Sequence, residues 1–282
     1  MSVLRKMHDL ATSSREKATT WLLTGAIFFA MRSCEYLHTT TESTKRTKLI
    51  TVENIIFKKG TSIVHHSDPN LHMSDLVRIT FEYQKNDKRD VCIHMFRSGD
   101  NTLCPVLAWA KTVQRVRSIP GASDSSKVCL FQGTSAKITT ITADYVRSRL
   151  RAIVELLGED KLGFTKIDIG LHSIRSGGAM AMFLSGTSVI IIMRVGRWSS
   201  EAFLEYIRDQ VESFTADVSK NMLKHEQFFN LNPNAGPSSY QLDSNHSNTE
   251  DITSEDGVDS VPFLINFNKL ALNDQEETEC KK

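Results

Sequence analysis

The sequence predicts an α+β fold that is mostly helical and carries a small antiparallel sheet of three strands. Between residues 49 and 96, three short runs are rich in β-branched and aromatic residues, which is typical of strands. On both sides of these runs, apolar residues recur at the three- and four-residue spacing of helices. The 282 residues, 40% of them hydrophobic, suffice for one sizeable core.

The first helix is predicted over residues 13–38. Ser13 and Glu16 have the spacing of a capping box, in which each side chain accepts a hydrogen bond from the other residue's backbone N–H. The middle of this segment is apolar nearly all round, as in a helix that is buried on every side. Arg32 and Glu35 follow three residues apart, so the helix would present both on one face.

The predicted strands cover residues 49–57, 77–83 and 91–96. The second and third strands are joined by the polar segment 84–90, whose central Asn-Asp pair favours a hairpin tip. A long loop over residues 60–75 separates the first strand from the second.

The segments that follow have helical periodicity. Pro105 begins one helix, since proline is favoured in a first turn. Another begins after Thr142, a good N-cap, and ends at Gly158, a residue type common at helix ends. A short apolar piece over residues 128–131 lies between these two helices. The predicted helices cover 105–116, 142–158, 172–185, 188–196, 199–209 and 211–229.

Charge and composition divide the chain into a basic body and an acidic tail. Residues 226–282 hold 3 Lys and Arg against 11 Asp and Glu, a balance of −8, and residues 1–225 hold 31 against 22, a balance of +9. We expect one domain over 1–229 and a largely disordered tail over 230–282, in which the apolar stretch 261–272 can dock on this chain or another. A basic body suits a polyanion such as nucleic acid, and solvated charge beside a disordered tail is the alternative.

Other features exclude several classes of protein. The five cysteines are scattered without a CxxC pair, so we expect intracellular thiols and neither a disulfide framework nor a zinc site. The most apolar run, residues 22–31, is about half of what a bilayer span needs, and no signal peptide precedes it. None of the nine histidines pairs with carboxylates at ligand spacing. We therefore expect a soluble, intracellular protein without a metal.

The segment GLHSIRSGGAMAMFLSG, residues 170–186, holds the first chemical signal. His172 and Arg175 lie one turn apart on a predicted helix that is otherwise mostly core, and enclosing both is costly unless an anion lies between them. Each candidate on its own has a more common structural explanation. The pair can be satisfied internally, Arg32 can bridge to Glu35, and the other candidates can be ordinary surface or packing residues.

The order of the candidates along the chain changes the interpretation. Arg32 near a helix end is followed by Lys85 at the hairpin, by the His-x-x-Arg pair, by Trp198 and by Tyr206 eight residues later. This order resembles the catalytic domain of the tyrosine recombinases, the phage-integrase family, over residues 13–225. MRSCEYL resembles the family's first box, LHSIRSGGA the second and VGRWSSEAFLEYIR the third, whose wording is similar to integrases of eukaryotic mobile elements.

The resemblance implies that the protein cuts and rejoins DNA through a covalent 3′-phosphotyrosine intermediate, in site-specific recombination or DNA integration. Tyr206 would be the nucleophile, and a phenol with an ordinary pKa of about 10 needs a base to take its proton. His172 is the position that the resemblance suggests for that base. Arg32 and Arg175 would hold the non-bridging oxygens of the scissile phosphate, a role that suits planar, permanently charged guanidiniums.

The remaining roles also follow from the resemblance. Lys85 would protonate the leaving 5′ oxygen. Trp198 would donate its indole N–H to a phosphate oxygen, and counting back from the tyrosine selects Arg197 as the alternative to Trp198. Glu35 would orient the arginine of the first box. No cofactor and no metal is needed for this chemistry.

The resemblance also bears on size and assembly. Family members usually carry a DNA-binding domain of about a hundred residues before the first box, whereas only 31 residues precede Arg32 here. We therefore expect a fragment, a truncated copy or a solo catalytic domain. Double-stranded DNA is the expected partner. The helix over 211–229 would either pack on its own domain or join copies into a homo-oligomer on DNA, in the nucleus if the source is a eukaryote.

Two other functions stay open. A catalytically inactive DNA-binding protein derived from such a recombinase would bind duplexes in a salt-dependent way without cleaving them. A protein that relaxes supercoils, like a type I topoisomerase, would share the tyrosine but would not exchange strands between sites. The complete set of candidate residues favours the recombinase.

Overall fold

A computed structural model describes residues 1–38, 47–83, 89–133 and 136–198 of the chain. These residues form helices and a small antiparallel sheet, which confirms the predicted α+β class. Several predicted features lie outside the described residues and stay predictions: Lys85, Tyr206, the helices over 199–209 and 211–229, and the tail over 230–282.

Two helices begin the chain, α1 (Ser2–Leu10) and α2 (Ser14–Phe28). The sequence patterns above do not predict α1, which buries two apolar side chains one turn apart. The predicted capping box at the start of α2 is confirmed. Glu16 N donates to Ser13 Oγ at 3.2 Å, and Ser13 N donates to Glu16 Oε2 at 3.0 Å.

The helix predicted over residues 13–38 is too long. α2 ends at Phe28, Ala30 has a left-handed φ of 42°, and a separate short helix, α3, covers Ser33–Tyr36. The turn between the two helices is buried. Because a buried turn is as apolar as the helix before it, hydrophobicity does not reveal where α2 ends.

The main sheet has four antiparallel strands in the order β2-β1-β3-β4, namely β1 (Ile55–Lys59), β2 (Ser62–Val64), β3 (Leu76–Tyr83) and β4 (Arg89–Phe96). The prediction of three strands therefore misses β2. That strand falls in the predicted loop over 60–75, where mostly exposed residues produce no alternating pattern. The strand predicted over 49–57 begins later than expected, because Val52–Asn54 form a 3₁₀ turn.

The second half of the described chain is mainly helical, as predicted. Thr142 caps its helix by accepting a hydrogen bond from Tyr145 N at 3.4 Å, and Gly158 ends that helix with a φ of 81°. A two-stranded sheet occupies the region of the short apolar piece. The elements are α4 (Pro105–Arg117), β5 (Leu130–Gln132), β6 (Ile138–Thr140), α5 (Ala143–Leu157), α6 (Glu159–Leu162), α7 (His172–Leu184) and α8 (Val189–Gly196).

The core is built around α2, which packs against α4 and α7. Gly25 allows a close contact with α4, because a Cβ there would lie 2.7 Å from the Trp109 ring. A separate apolar cluster joins the end of α2 to α7 and α8, and it contains Ala30, Ala179, Ile192 and Trp198. No helix in the described ranges is long and apolar enough to cross a membrane.

Candidate active site

The break after α2 places Arg32 immediately before α3. Arg32 N donates to Glu35 Oε2 at 2.8 Å, and Arg32 Nη1 lies 3.2 Å from Glu35 Oε1. One carboxylate therefore satisfies the start of α3 and also holds the guanidinium of Arg32. The Glu35 side chain is 1% exposed, whereas that of Arg32 is 22% exposed. Arg32 is thus anchored from the interior while part of it reaches the surface.

Glu35 also binds a second arginine. Arg197 Nη2 lies 2.7 Å from Glu35 Oε2, and neither side chain is exposed to solvent beyond 1%. Arg197 Nη1 donates to the carbonyl oxygens of Phe29 at 3.0 Å and Val195 at 2.8 Å, and the guanidinium lies 3.7 Å from the centre of the Phe81 ring. Arg197 therefore links the end of α2, the end of α8 and the sheet.

Arg175 on α7 also contacts the turn after α2 and the end of α8. Its Nη1 donates to the carbonyl oxygen of Ala30 and its Nη2 to that of Gly196, both at 2.6 Å. Its guanidinium also lies 4.1 Å from the centre of the Trp198 ring, a distance at which a cation is attracted to an aromatic face. The side chain of Arg175 is buried. It joins α7 to the turn after α2 and to the end of α8.

Two glycines permit these contacts. A Cβ on Gly178 would lie 2.3 Å from the carbonyl oxygen of Ile27, so only glycine lets α7 approach the end of α2 this closely. A Cβ on Gly196 would lie 1.6 Å from the Trp198 ring. A Cβ on Gly177 would be 3.8 Å from its nearest neighbour, an ordinary contact, so the close packing depends on Gly178 alone of this pair.

His172 is the first residue of α7, and although the residue is exposed at the surface, neighbouring protein groups partly desolvate its imidazole. Burial lowers the pKa of its imidazole below the ordinary 6.5, and the positive charges of Arg175 and Arg32 lower that pKa further. Both guanidiniums therefore lie within electrostatic reach of the ring. A lowered pKa favours the neutral imidazole, which is the form that can accept a proton.

The structure thus gathers most of the candidates that it describes into one region: Arg32, Glu35, His172, Arg175 and Trp198. Arg197 lies on the buried side of that region, bound to Glu35. Its position as an internal link is not visible in the sequence, where it is one more basic residue beside a tryptophan. Lys85 and Tyr206 lie outside the described residues. Among the residues that are described, no group of three or more His, Cys, Asp and Glu side chains could hold a metal ion.

Neither a protein-family model nor a curated protein gives a match to this chain. Among solved structures, the chain is similar to the XerH site-specific recombinase bound to palindromic difH substrate in a post-cleavage complex. The identity is 14%, the TM-score is 0.48, and the match covers 77% of this chain. The chain spans 50% of the recombinase chain, and a likeness at this level does not assign a family or an activity.

Proposed function

We propose that this chain cuts and rejoins DNA strands through a covalent bond between a tyrosine and a 3′ phosphate, as tyrosine recombinases do. The observation that carries the proposal is the placement of Arg32, Arg175 and His172: Glu35 holds the Arg32 guanidinium at the turn after α2, and Arg175, one helical turn after His172 on α7, binds the same turn through Ala30. Two permanent positive charges next to a neutral base suit a phosphodiester that gains negative charge while a hydroxyl attacks it.

In the proposed reaction, the Tyr206 hydroxyl attacks the phosphorus and His172 accepts the phenolic proton. The bond from phosphorus to the 5′ oxygen breaks, and that oxygen takes a proton from Lys85. The products are a 3′-phosphotyrosine and a free 5′ hydroxyl, and the reverse attack by a 5′ hydroxyl rejoins the strand. One phosphodiester linkage is exchanged for another, since the bond to tyrosine replaces the bond to the 5′ oxygen, so no oxidant, reductant or nucleotide cofactor is consumed.

The described contacts support the roles proposed for the first box. Arg32 is held by Glu35 from the interior, so its guanidinium is oriented before a phosphate arrives. Lys85 lies in the segment between β3 and β4, consistent with a hairpin that carries the general acid. Between Trp198 and Arg197, we propose Trp198 as the phosphate donor, because the charge of Arg197 is already compensated in the interior by Glu35.

Duplex DNA is the proposed substrate, and a nicked suicide substrate provides the test. Its cleavage releases a short fragment, so the covalent adduct accumulates and can be mapped by mass spectrometry. We expect an adduct on Tyr206 that disappears in Tyr206→Phe and persists in Tyr83→Phe, which removes the hydroxyl of an exposed tyrosine on β3. Equal adduct yields from the wild type and Tyr206→Phe would overturn the proposed nucleophile.

One observation favours the second candidate function, DNA binding without cleavage. Both terminal nitrogens of Arg175 donate to backbone carbonyls, which also suits a purely structural role. In that case the chain would bind duplex DNA with the salt dependence of phosphate contacts and would form no adduct on any tyrosine. Assembly through residues 211–229, an origin in a mobile element and a nuclear location stay predictions.

A further inference from the structure

A cleft of about 320 Å³ lies between α2, α4 and β5, apart from the cluster of the candidate active site. Its lining combines the aromatic side chains of Trp21 and Phe131 with the cationic side chains of Lys17, Lys111 and Arg115. Among the described residues, no aspartate or glutamate lines the cleft. The volume is at the lower end of the range for small-molecule sites, which is about 300 to 1,000 Å³. A cleft of this size can admit a nucleotide but not a duplex.

The positive charge of the cleft is not balanced by a neighbouring acid. Within the described part of the chain, none of Lys17, Lys111 and Arg115 forms an ion pair with a carboxylate. Arg115 is fixed in place, because Nη1 donates to the carbonyl oxygen of Leu130 at 2.5 Å and Nη2 to that of Val128 at 2.7 Å. Burial lowers the pKa of Arg115 to about 10, so the group stays charged at neutral pH. An anion is the ligand that such a group of cations favours.

The aromatic part of the cleft narrows the class of anion. Trp21 is held by an edge contact with His8, whose ring centre lies 4.4 Å away at 67°. An ordered indole beside several cations is the combination with which proteins bind single-stranded nucleic acid, since bases stack on aromatic rings while phosphates contact basic groups. A phosphate alone would not need the aromatic side chain. A planar base joined to a phosphate uses both.

We propose that this cleft binds one nucleotide of a single strand, with the phosphate on Lys17, Lys111 and Arg115 and the base against Trp21. A free nucleotide has the same chemistry as a nucleotide within a strand, so both sources fit the cleft. The site goes beyond the proposed cleavage reaction, which does not need it. On a recombinase, such a site would hold an unpaired stretch of a strand away from the reacting phosphate.

The test measures binding of a short fluorescein-labelled oligothymidylate to the full chain by fluorescence anisotropy at low salt. We expect Lys17→Glu and Lys111→Glu each to weaken binding about tenfold, since a phosphate contact becomes a repulsion. Lys161→Glu is the matched control, because Lys161 is an exposed lysine outside the cleft and undergoes the same change of charge. Trp21→Leu, which keeps an apolar side chain, should weaken binding about fivefold or more.

Further variants separate this site from the candidate active site. Arg32→Gln should weaken binding of the oligonucleotide less than Lys111→Glu does, because the phosphate contact proposed for Arg32 is separate from the cleft. Loss of binding in Arg32→Gln together with normal binding in Lys111→Glu would overturn the proposal and place the strand at the arginine cluster. If adenosine monophosphate displaces the labelled oligonucleotide as well as the unlabelled oligonucleotide does, the result supports the site and identifies a free nucleotide as its ligand. Inorganic phosphate that competes equally well would overturn the assignment of a nucleotide.

Discussion

Glu35 and Arg197 form a buried ion pair, with 2.7 Å between Oε2 and Nη2 and almost no solvent exposure of either side chain. The same carboxylate contacts Arg32 through its other oxygen. An isolated buried charge is costly, and here one anion compensates a fully buried guanidinium while it orients a second one near the surface. The interior of the fold therefore determines where the first arginine of the candidate active site points.

Glu35→Gln should destabilise the protein strongly. The substitution keeps the shape of the side chain but leaves the Arg197 cation buried without an anion, and breaking a buried pair costs about 3–5 kcal/mol. The free energy of unfolding, measured by urea denaturation, gives the effect. Glu155→Gln is the control, because Glu155 pairs with Lys166 at the surface, where a pair contributes less than about 1 kcal/mol. Similar losses for the two variants would contradict the buried pair.

Removing both charges of the buried pair should cost less than removing one. In Glu35→Gln with Arg197→Met, no uncompensated charge remains in the interior, so the double variant should be more stable than the sum of the two single effects predicts. A double-mutant cycle in urea should return a coupling free energy of about 1–3 kcal/mol between the two positions. Strict additivity would mean that the two charges do not interact in the folded protein.

Gly178→Ala should disturb the contact between α7 and α2. The new Cβ would lie 2.3 Å from the carbonyl oxygen of Ile27, and forcing atoms into a packed interior typically costs about 1–3 kcal/mol. Gly177→Ala is the matched control on the same helix, because its Cβ would have an ordinary contact and alanine favours helix by about 1 kcal/mol over glycine. The midpoint of thermal unfolding should thus fall in Gly178→Ala and rise in Gly177→Ala. An unchanged midpoint of thermal unfolding for Gly178→Ala would contradict the close contact between α7 and α2.

The imidazole of His172 should titrate below pH 6.5. Its pKa is lowered first by burial, then by Arg175 and then by Arg32, so removing one of these charges must raise it. In Arg32→Gln, an NMR titration of the ring should therefore give a higher pKa than in the wild type. Lys161→Gln removes an exposed positive charge that is not one of those lowering the pKa of His172, and it should leave that pKa unchanged.

The same pKa has a consequence for the proposed reaction. If His172 accepts the tyrosine proton, adduct formation requires the neutral ring, so its rate should fall as pH drops through the pKa of His172 and should be retained at pH 7. His172→Gln should slow adduct formation by a factor of about 10² to 10⁴. A rate that falls with rising pH over this range would contradict a basic role for the ring.

Local signals predicted the ends of several elements correctly. The capping box of Ser13 with Glu16, the first-turn Pro105 and the caps at Thr142 and Gly158 all lie where the sequence predicts them. Each of these signals depends on backbone groups within four residues, which is why sequence alone suffices. The sequence does not predict the short strand β2, because its exposed residues carry no periodic pattern. This strand forms by pairing with β1.

By itself, the sequence determined the fold class, the strands β3 and β4 and most helices of the described ranges, since all of these follow from local spacing and composition. The list of candidate site residues came from the resemblance to tyrosine recombinases and stays a prediction. Only the tertiary structure decided that α2 ends at Phe28. The turn that follows is held by hydrogen bonds from Arg175 to Ala30 and from Arg197 to Phe29, across 145 and 168 residues. The structure also gives different surroundings to two adjacent residues that the sequence left as alternatives. Trp198 packs against the guanidinium of Arg175, and Arg197 forms a buried ion pair with Glu35. Burial and ion pairing depend on groups that meet only when the chain is folded, and local spacing does not encode them.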